Sequence, residues 1–357
     1  MPMTAAPEHG IVDVARAAGV STATVSRALR GLPNVTPATR ERVLAAAAQL
    51  GYVVSPSASS LASGRTRTVG LLTPWVTRWF FANVIEGAER SLRERGFDAL
   101  LSIFREDGAG SGLRFDPDSL RRRVDGVLVV GMPLRPAELA ALEALGRPLV
   151  FVGPGAPGHV TVGIDDAGAA EAVTTHLLDL GHRTVAHLTG SPTDDAPTSP
   201  AVRRTEGWRS ALRRAGVEPD EDVLQHVEPG SGLLQSEHFG TGGGRRSLHQ
   251  LLDRRPDVTA VFAASDEIAM GALLAARERG LRVPDDLSVA GVDGHDLADL
   301  LELTTVAQDA LGQGADAARI VLRMAAGETV PGASLHPTRL VVRRSTARPR
   351  TGPLPPA

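Results

Sequence analysis

The sequence predicts an α/β protein in which a helix-turn-helix headpiece precedes two doubly wound subdomains, each built on a parallel sheet. Three observations predict this arrangement. Residues 11–29 have the spacing of two short helices joined by a glycine turn, residues 55–64 are small and polar, and strands alternate with helices from Val69 onward. A chain of 357 residues is long enough for two or three packed units.

The stretch 11–29 carries the helix-turn-helix pattern. Counting Ile11 as position one, Ala15, Gly19 and Val25 occupy positions five, nine and fifteen. A small residue at Ala15 lets two helices touch, and Gly19 supplies the positive φ that a three-residue turn needs. We expect the two helices to share a core of apolar side chains from Val14, Val20, Val25 and Leu29.

The second of these helices has a polar face suited to DNA. Ser21 is expected to cap it by accepting the Thr24 amide, which leaves Thr22, Ala23 and Arg27 on the free side. In a helix-turn-helix that side enters the major groove, N-terminal residues first. An ordinary helical hairpin is the alternative, but the agreement of turn, cap, core spacing and polar face favours DNA binding.

A third short helix is predicted to complete the headpiece. Thr36 is a candidate N-cap, and Pro37 occupies the first helical position, where a missing N–H has no cost. Val43, Ala47 and Leu50 mark one apolar stripe. Gly51 and Tyr52, the single tyrosine, follow the predicted helix end.

Composition and charge narrow the class of protein. The chain has no cysteine, so disulfides and thiolate metal sites are excluded, and no signal peptide or membrane span is recognisable, so we expect a cytoplasmic protein. The net charge is −3, but residues 1–67 contain seven Arg against three acidic residues, a balance of +4. A basic head on an acidic body suits a protein whose head alone meets phosphate.

Beyond Val69, continuous apolar strands alternate with helices, the pattern of parallel sheets covered on both faces. The pattern repeats in a second series, which predicts two subdomains with a ligand at the carboxyl ends of the strands, in the cleft between them. The predicted strands are 69–72, 99–104, 124–130, 148–152, 162–164, 183–188, 260–263 and 288–292. The predicted helices are 80–96, 137–145, 169–180, 204–215, 244–253 and 267–280.

The linker contains one large apolar residue, Leu61, in a Ser/Ala stretch. The headpiece, this leucine and the following RTRTVGLL at 65–72 together resemble the LacI/GalR (lactose repressor) family of bacterial transcription regulators. Further landmarks of that family follow in order: GHRTVA at 181–186, GW at 207–208, AASDE at 263–267, GLRVP at 280–284, GVD at 291–293, LTTV at 303–306 and LVVRRST at 340–346. The resemblance runs from about Ile11 to Thr346.

The resemblance implies an organisation and a function. It implies a headpiece at 1–54, a hinge helix or linker at 55–66, a periplasmic-binding-protein-like effector and dimerisation domain at 67–346, and a disordered tail at 347–357. The protein is expected to be a transcription regulator, usually a repressor in this family, that binds pseudopalindromic operator DNA as a homodimer or higher oligomer. A small molecule such as a sugar or related metabolite would control it, with no cofactor and no metal.

The resemblance also assigns residues. Leu61 of each subunit would enter the minor groove and kink the DNA, as other apolar wedges do. DNA contacts are expected from Ser21, Thr22, Ala23, Thr24, Ser26, Arg27, Asn34, Thr39, Tyr52 and Leu61. Effector contacts are expected from Phe80, Asp165, Arg204, Phe239, Asp266, Asp293 and Gln308, with Arg204 at the start of its helix, where the family arginine grips effector hydroxyls or a carboxylate.

Three departures from the family pattern leave the effector open. Gly153-Pro154-Gly155 stands where the family often has Asp, Ser265 replaces the Asn of an Asn-Asp pair, and Ala310 replaces an aromatic residue.

Other chemistry has weaker support. The glycines at 240–244 lack the Lys-Ser/Thr of a phosphate loop and are predicted to form a flexible loop. His176, His182 and His187 have no accompanying carboxylate pattern, and no nucleophile motif is present, so we expect no enzyme. A small-molecule sensor whose head serves another partner remains the main alternative.

Overall fold

The computed structural model describes residues 9–29, 31–52, 65–106, 113–114, 116–132, 134–190, 197–227 and 240–350. The chain forms two units, Met1–Thr66 and Arg67–Ala357. Within the described ranges, no helix has the length and apolar character needed to cross a membrane.

Among its described residues, the first unit contains three short helices around one small core. They are α1 (Ile11–Ala18), α2 (Thr22–Leu29) and α3 (Pro37–Gln49). Gly19 adopts the expected left-handed conformation with φ of 64°, and the Thr24 amide donates to Ser21 Oγ at 3.2 Å. Thr36 caps α3 in the same way, and Val14, Val25 and Val43 are fully buried. The predicted helix-turn-helix geometry is therefore confirmed.

The second unit contains two six-stranded sheets among its described residues. The N-terminal sheet is parallel throughout, in the order β13-β7-β6-β5-β1-β2. Its strands are β1 (Thr68–Thr73), β2 (Asp98–Ile103), β5 (Gly126–Val130), β6 (Leu149–Val152), β7 (Val160–Gly163) and β13 (Ala333–Leu335). Two-residue strands β3 (Arg105–Glu106) and β4 (Leu113–Arg114) pair separately.

The C-terminal sheet has the order β14-β12-β11-β10-β8-β9, with only β14 antiparallel to its neighbour. Its strands are β8 (Val185–Thr189), β9 (Leu224–His226), β10 (Ala260–Ala263), β11 (Ser288–Asp293), β12 (Thr304–Ala307) and β14 (Arg339–Val341). The two parallel-sheet subdomains predicted from the alternating pattern are confirmed.

Helices cover the sheets. They are α4 (Trp79–Arg93), α5 (Pro136–Glu143), α6 (Asp166–Asp179), α7 (Pro200–Arg214), α8 (Thr241–Arg254), α9 (Asp266–Glu278), the short α10 (Leu297–Leu300) and α11 (Ala310–Ala325). Short 3₁₀ turns in the described part of the chain include Pro117–Ser119 and Glu221–Val223.

The subdomains are not contiguous in sequence, which corrects the expectation of two successive series. After β7 the chain enters the C-terminal subdomain, where α6 packs on α7. It returns after β12, because α11 packs against α4 and β13 extends the N-terminal sheet beside β7. It then crosses again to β14. Neither α11 nor this return is among the elements predicted from the sequence.

The glycine-rich segment 240–244 is not a loop, because Thr241 to Gly244 form the first turn of α8. A Cβ at Gly244 would stand 2.2 Å from the Ile268 carbonyl oxygen, and one at Gly271 would stand 2.0 Å from that of Thr241. The glycines thus let α8 and α9 pack closely.

The chain beyond Thr346 also differs from expectation. The carbonyl of Ala347 accepts from Nε2 of His182 at 2.9 Å, and its amide donates to Ser288 Oγ at 3.0 Å. Arg350 donates to the Asp286 carbonyl. The predicted tail therefore begins too early, because these groups satisfy buried polar atoms; residues 351–357 lie outside the described residues.

Candidate ligand-binding cleft and DNA-reading face

The carboxyl ends of the strands meet in a cleft between the two sheets, as a doubly wound fold predicts. Residues after β1, β5, β6 and β7 line one side, and residues after β10, β11 and β12 line the other. Among the described residues that line it, the charged and amide side chains are Arg78, Asp166, Arg204, Glu267, Asp293, Gln308 and Gln313.

Arg204 is buried and fixed in place. Its Nε donates to Asp166 Oδ1 at 2.8 Å, its Nη2 lies 2.8 Å from the same oxygen, and its Nη1 donates to the Ala264 carbonyl. Burial alone lowers the pKa of this guanidinium, but the nearby carboxylates of Asp166 and Asp293 raise it overall. Arg204 is therefore a permanent cation held in a rigid orientation.

Asp293 ends β11 and begins a chain of polar contacts. Gln308 Nε2 donates to its Oδ1 at 2.8 Å, and Gln313 Nε2 donates to Gln308 Oε1 at 2.9 Å. Burial, helped by the nearby charge of Asp266 and opposed by Arg204, raises the pKa of Asp293 to about 8. The backbone of Asp293 has φ of 144°, which is a strained conformation for a residue other than glycine.

Aromatic rings form the opposite wall of the cleft. Trp75, Trp79, Phe80 and Phe81 line it from the N-terminal subdomain. Trp75 and Phe81 meet edge to face with ring centroids 5.3 Å apart, and Phe80 and Phe81 do so at 5.5 Å. A cleft with an apolar wall and a few fixed polar groups has the usual character of a small-molecule site.

Contacts made by Arg78 and Trp79 join the subdomains across the cleft. Arg78, which precedes α4, lies 2.9 Å from the carboxylate of Glu267 on α9. The same carboxylate accepts from the Trp79 amide at 3.4 Å, and the Trp79 ring stacks on His295 at 5.6 Å. These contacts hold the two sides together at the aromatic end of the cleft.

Some of the predicted effector residues line the cleft and others do not. Phe80, Arg204, Asp293 and Gln308 line the cleft. Asp165 is exposed and caps α6 by accepting the Gly168 amide at 3.0 Å. Asp266 is completely buried, accepts the His295 amide and does not line the cleft. Phe239 lies outside the described residues.

One detail of the prediction for Arg204 is wrong. The residue does not begin its helix, because Ser199 caps α7 and Pro200 occupies its first position. Arg204 therefore reaches the cleft from the second turn. The Ser-Pro pair is a helix-start signal that the sequence already contained.

Several cleft residues escaped the sequence analysis. Asp166, Arg78 and Glu267 are the clearest cases, because each acts through a partner far along the chain. The run from Trp75 to Phe81 contained a signal, because it holds two of the three Trp residues and two of the eight Phe residues of the chain.

The three histidines considered above as possible metal ligands each have a hydrogen-bonding partner. His176 meets Thr346, His182 meets Thr259 and Ser288, and His187 Nδ1 meets the Phe262 carbonyl at 3.1 Å. His187 is fully buried between the rings of Trp208 and Phe262, and burial lowers its pKa to about 3. It is thus a neutral core side chain.

On the headpiece, Thr22, Ala23 and Arg27 are exposed together on α2. Ser21 is also exposed, and its hydroxyl shares a 2.9 Å contact with that of Thr24. Ser26 and Thr24 are half-buried at the edge of this face. The free side of α2 is therefore small and polar with a single cation, as a helix that approaches base edges requires.

The remaining predicted DNA contacts flank that face in the chain. Asn34 is exposed with φ of 70°, in the turn before α3. Thr39 is half-buried, and its amide donates to Thr36 Oγ1 at 3.3 Å. Tyr52 is half-buried against the headpiece core, and Leu61 lies outside the described residues.

Comparisons with known proteins agree with both units. Residues 10–55 match the family of bacterial regulatory proteins of the lacI family, and residues 174–346 match the periplasmic binding protein-like domain. The regulator CelR of Thermobifida fusca is 35% identical over 347 residues, which cover 93% of this chain and 96% of that protein. The chain belongs to the LacI family.

Other LacI-family proteins are similar over almost their whole length. The repressor CytR of Escherichia coli K12 is 33% identical, covering 94% of this chain and 95% of CytR. A solved CelR–cellobiose complex is 32% identical with a TM-score of 0.68, covering 95% of this chain and all of that one. A lac repressor dimer bound to operator and the anti-inducer ONPF has a TM-score of 0.80 at 27% identity, with 96% and 100% coverage.

Family membership confirms the predicted fold and the predicted class of function. The protein is a helix-turn-helix transcription regulator with a periplasmic-binding-protein-like domain.

Proposed function

We propose that this LacI-family regulator represses transcription by binding a pseudopalindromic operator as a homodimer, and that a sugar-like molecule in the cleft controls its affinity for DNA. The observation that carries the proposal is that one chain combines the exposed face of Thr22, Ala23 and Arg27 with a cleft that contains Arg204 and Asp293.

The dimer follows from the size of the headpiece. Three short helices bury too little DNA surface for tight and specific binding, so two headpieces are needed on two half-sites. Support for the interface comes from β2, an edge strand of the N-terminal sheet, where Leu101 and Ile103 are 43% and 46% exposed. An exposed apolar edge strand of this kind is usually covered by a partner.

The sugar-like effector follows from the two walls of the cleft. Asp293 accepts hydroxyl hydrogens when ionised, and Gln308 both donates and accepts, so together they match a ring of hydroxyl groups. Trp79 and Phe80 offer apolar rings to the C–H face of a pyranose. CelR is solved with cellobiose, which makes cellobiose the first compound to test.

The link between cleft and operator runs through the segment 55–66. Its Ser-rich composition disfavours a helix in isolation, so it should fold only when two copies lie side by side on DNA with Leu61 inserted. A change in the spacing of the two N-terminal subdomains would then alter operator affinity. The effector shifts that affinity only by its differential binding to the two arrangements, typically about 1–3 kcal/mol.

A gel-shift titration with the DNA upstream of the coding sequence tests the proposal. We expect a two-fold symmetric footprint and a shift in midpoint when cellobiose or another sugar is added. Binding of a single half-site by a monomer would contradict the dimer, and an operator affinity indifferent to every sugar would contradict the effector.

A further inference from the structure

The charges that line the cleft are already paired. Arg78 and Arg204 are the cations among the described lining residues, and each is held by a carboxylate, from Glu267 and Asp166 respectively. Asp293 is the remaining lining carboxylate. The cleft is thus neutral when Asp293 carries its proton and negative by one charge when it does not.

The contacts of Arg204 decide which ligand group it can receive. A carboxylate or phosphate binds arginine best as a two-oxygen clasp on two adjacent N–H groups. Asp166 Oδ1 occupies the Nε–Nη2 edge of Arg204, and the Ala264 carbonyl takes Nη1. The Nε–Nη2 edge is therefore closed to a two-oxygen clasp, and the charge of Arg204 is already matched by that of Asp166.

The ion pair between Arg204 and Asp166 is buried, which makes the entry of an anion costly. The side chains of Arg204 and Asp166 are only 9% and 14% exposed. An anion that entered would have to lose its hydration and would meet Asp166 and Asp293 without an unpaired cation to receive it.

We propose that the cleft selects uncharged polyhydroxyl compounds and rejects the corresponding sugar acids and sugar phosphates, and that Asp166 sets this selectivity by occupying Arg204. The inference rests on the proposed control by a sugar-like effector and names the charge class of that effector. Asp166 acts here as a specificity-determining residue through its ion pair with Arg204.

Matched ligand pairs test the proposal on the full-length protein. Thermal shift and titration calorimetry would compare glucose with gluconate and glucose 6-phosphate, and cellobiose with cellobionate. We expect at least one neutral sugar to bind at least tenfold tighter than its acid. An acid or phosphate that binds as well as its neutral parent would overturn the proposal. The proposal would also be overturned if none of the neutral sugars bound.

Variants then test the role of Asp166. In Asp166→Asn, Arg204 loses its partner charge, and we expect the preference for the neutral sugar to shrink at least tenfold. Glu171→Gln is the matched control, because Glu171 pairs with Arg214 between the same helices α6 and α7 but at the surface. An unchanged preference in Asp166→Asn, or an equal loss in Glu171→Gln, would overturn the assignment.

The gel shift separates this proposal from the wider one. If a sugar acid releases operator DNA, effector control stands and only the charge selectivity fails. If no sugar of either kind changes operator binding, the proposed effector control itself fails.

Discussion

Arg78 Nη1 lies 2.9 Å from the carboxylate of Glu267, and the two residues stand on opposite sides of the cleft. Both side chains are largely covered, at 16% and 18% exposed, so the pair is better shielded from water than a surface ion pair. Glu267 also accepts the Trp79 amide, which ties the start of α4 to α9.

The first prediction concerns this bridge. Glu267→Gln removes the charge, so the contact between the two sides of the cleft should weaken by about 1 kcal/mol, and effector affinity should fall about fivefold. Titration calorimetry and the radius of gyration of the ligand-free protein would measure this. Glu278→Gln is the control, since Glu278 pairs with Arg245 at the far end of α9. Equal affinities in the two variants would mean that the bridge does not hold the cleft.

The second prediction concerns pH. The pKa of Asp293 is raised to about 8 in the folded protein, whereas an unfolded Asp loses its proton near pH 4. Between about pH 4 and 8 the folded state therefore holds one proton more than the unfolded state. The free energy of unfolding should therefore fall as pH rises through that range. Asp293→Asn should remove this fall and gain relative stability toward pH 8, measured by thermal unfolding. Exposed Asp296→Asn should leave the wild-type pH profile intact.

The third prediction concerns base recognition. Arg27 is the exposed cation of the α2 face, and a bidentate contact to guanine would be worth about 1–3 kcal/mol of discrimination. Arg27→Ala should relax the preference at one position in each half-site, as read from binding to randomised operators. A uniform loss across all sequences would instead identify Arg27 as a phosphate contact.

The fourth prediction concerns Leu61, whose role rests on the family resemblance. Leu61→Ala should weaken operator binding and leave effector binding to the free protein unchanged, because the wedge acts only on DNA. Hydrogen exchange over 55–64 should show protection on operator and a change with effector. Equal exchange with and without operator would make the segment a passive tether.

The fifth prediction concerns helix packing. A Cβ at Gly87 of α4 would stand 2.0 Å from the Leu311 carbonyl oxygen of α11. Gly87→Ala should therefore force the helices apart and cost about 1–3 kcal/mol in urea unfolding. Gly332→Ala has open space around it and should change stability little. Similar losses in both would contradict the packing argument.

Features that depend on neighbouring residues could be predicted from sequence. The turn at Gly19, the cap at Ser21 and the cap at Thr36 are settled within one helical turn, so spacing alone identified them. The buried strands were predicted because both faces of a parallel strand are apolar. Asp293 could be placed at the cleft because it ends the predicted strand β11, and the cleft lies at the carboxyl ends of the strands.

Features that depend on partners far along the chain could not be predicted from the sequence. Asp165 and Asp166 are adjacent and chemically identical, yet one caps a helix and the other binds Arg204, and only the packing of α6 on α7 decides which. Asp266, like Asp293, stands near the end of a strand, but it is buried and accepts the His295 amide, and it does not line the cleft. The return of α11 to the N-terminal sheet has no local sequence signal, because its apolar stripe suits either subdomain.

That return has a consequence for synthesis on the ribosome. The N-terminal sheet has its first five strands once Gly163 is made, but its covering helix α11 and its edge strand β13 emerge only after five strands of the C-terminal sheet, β8 to β12. At typical rates of translation the delay is on the order of ten seconds. During that time the incomplete N-terminal subdomain exposes the apolar side chains that Ala317 and Val321 later cover. The growing chain therefore needs chaperones most between the synthesis of β7 and that of α11.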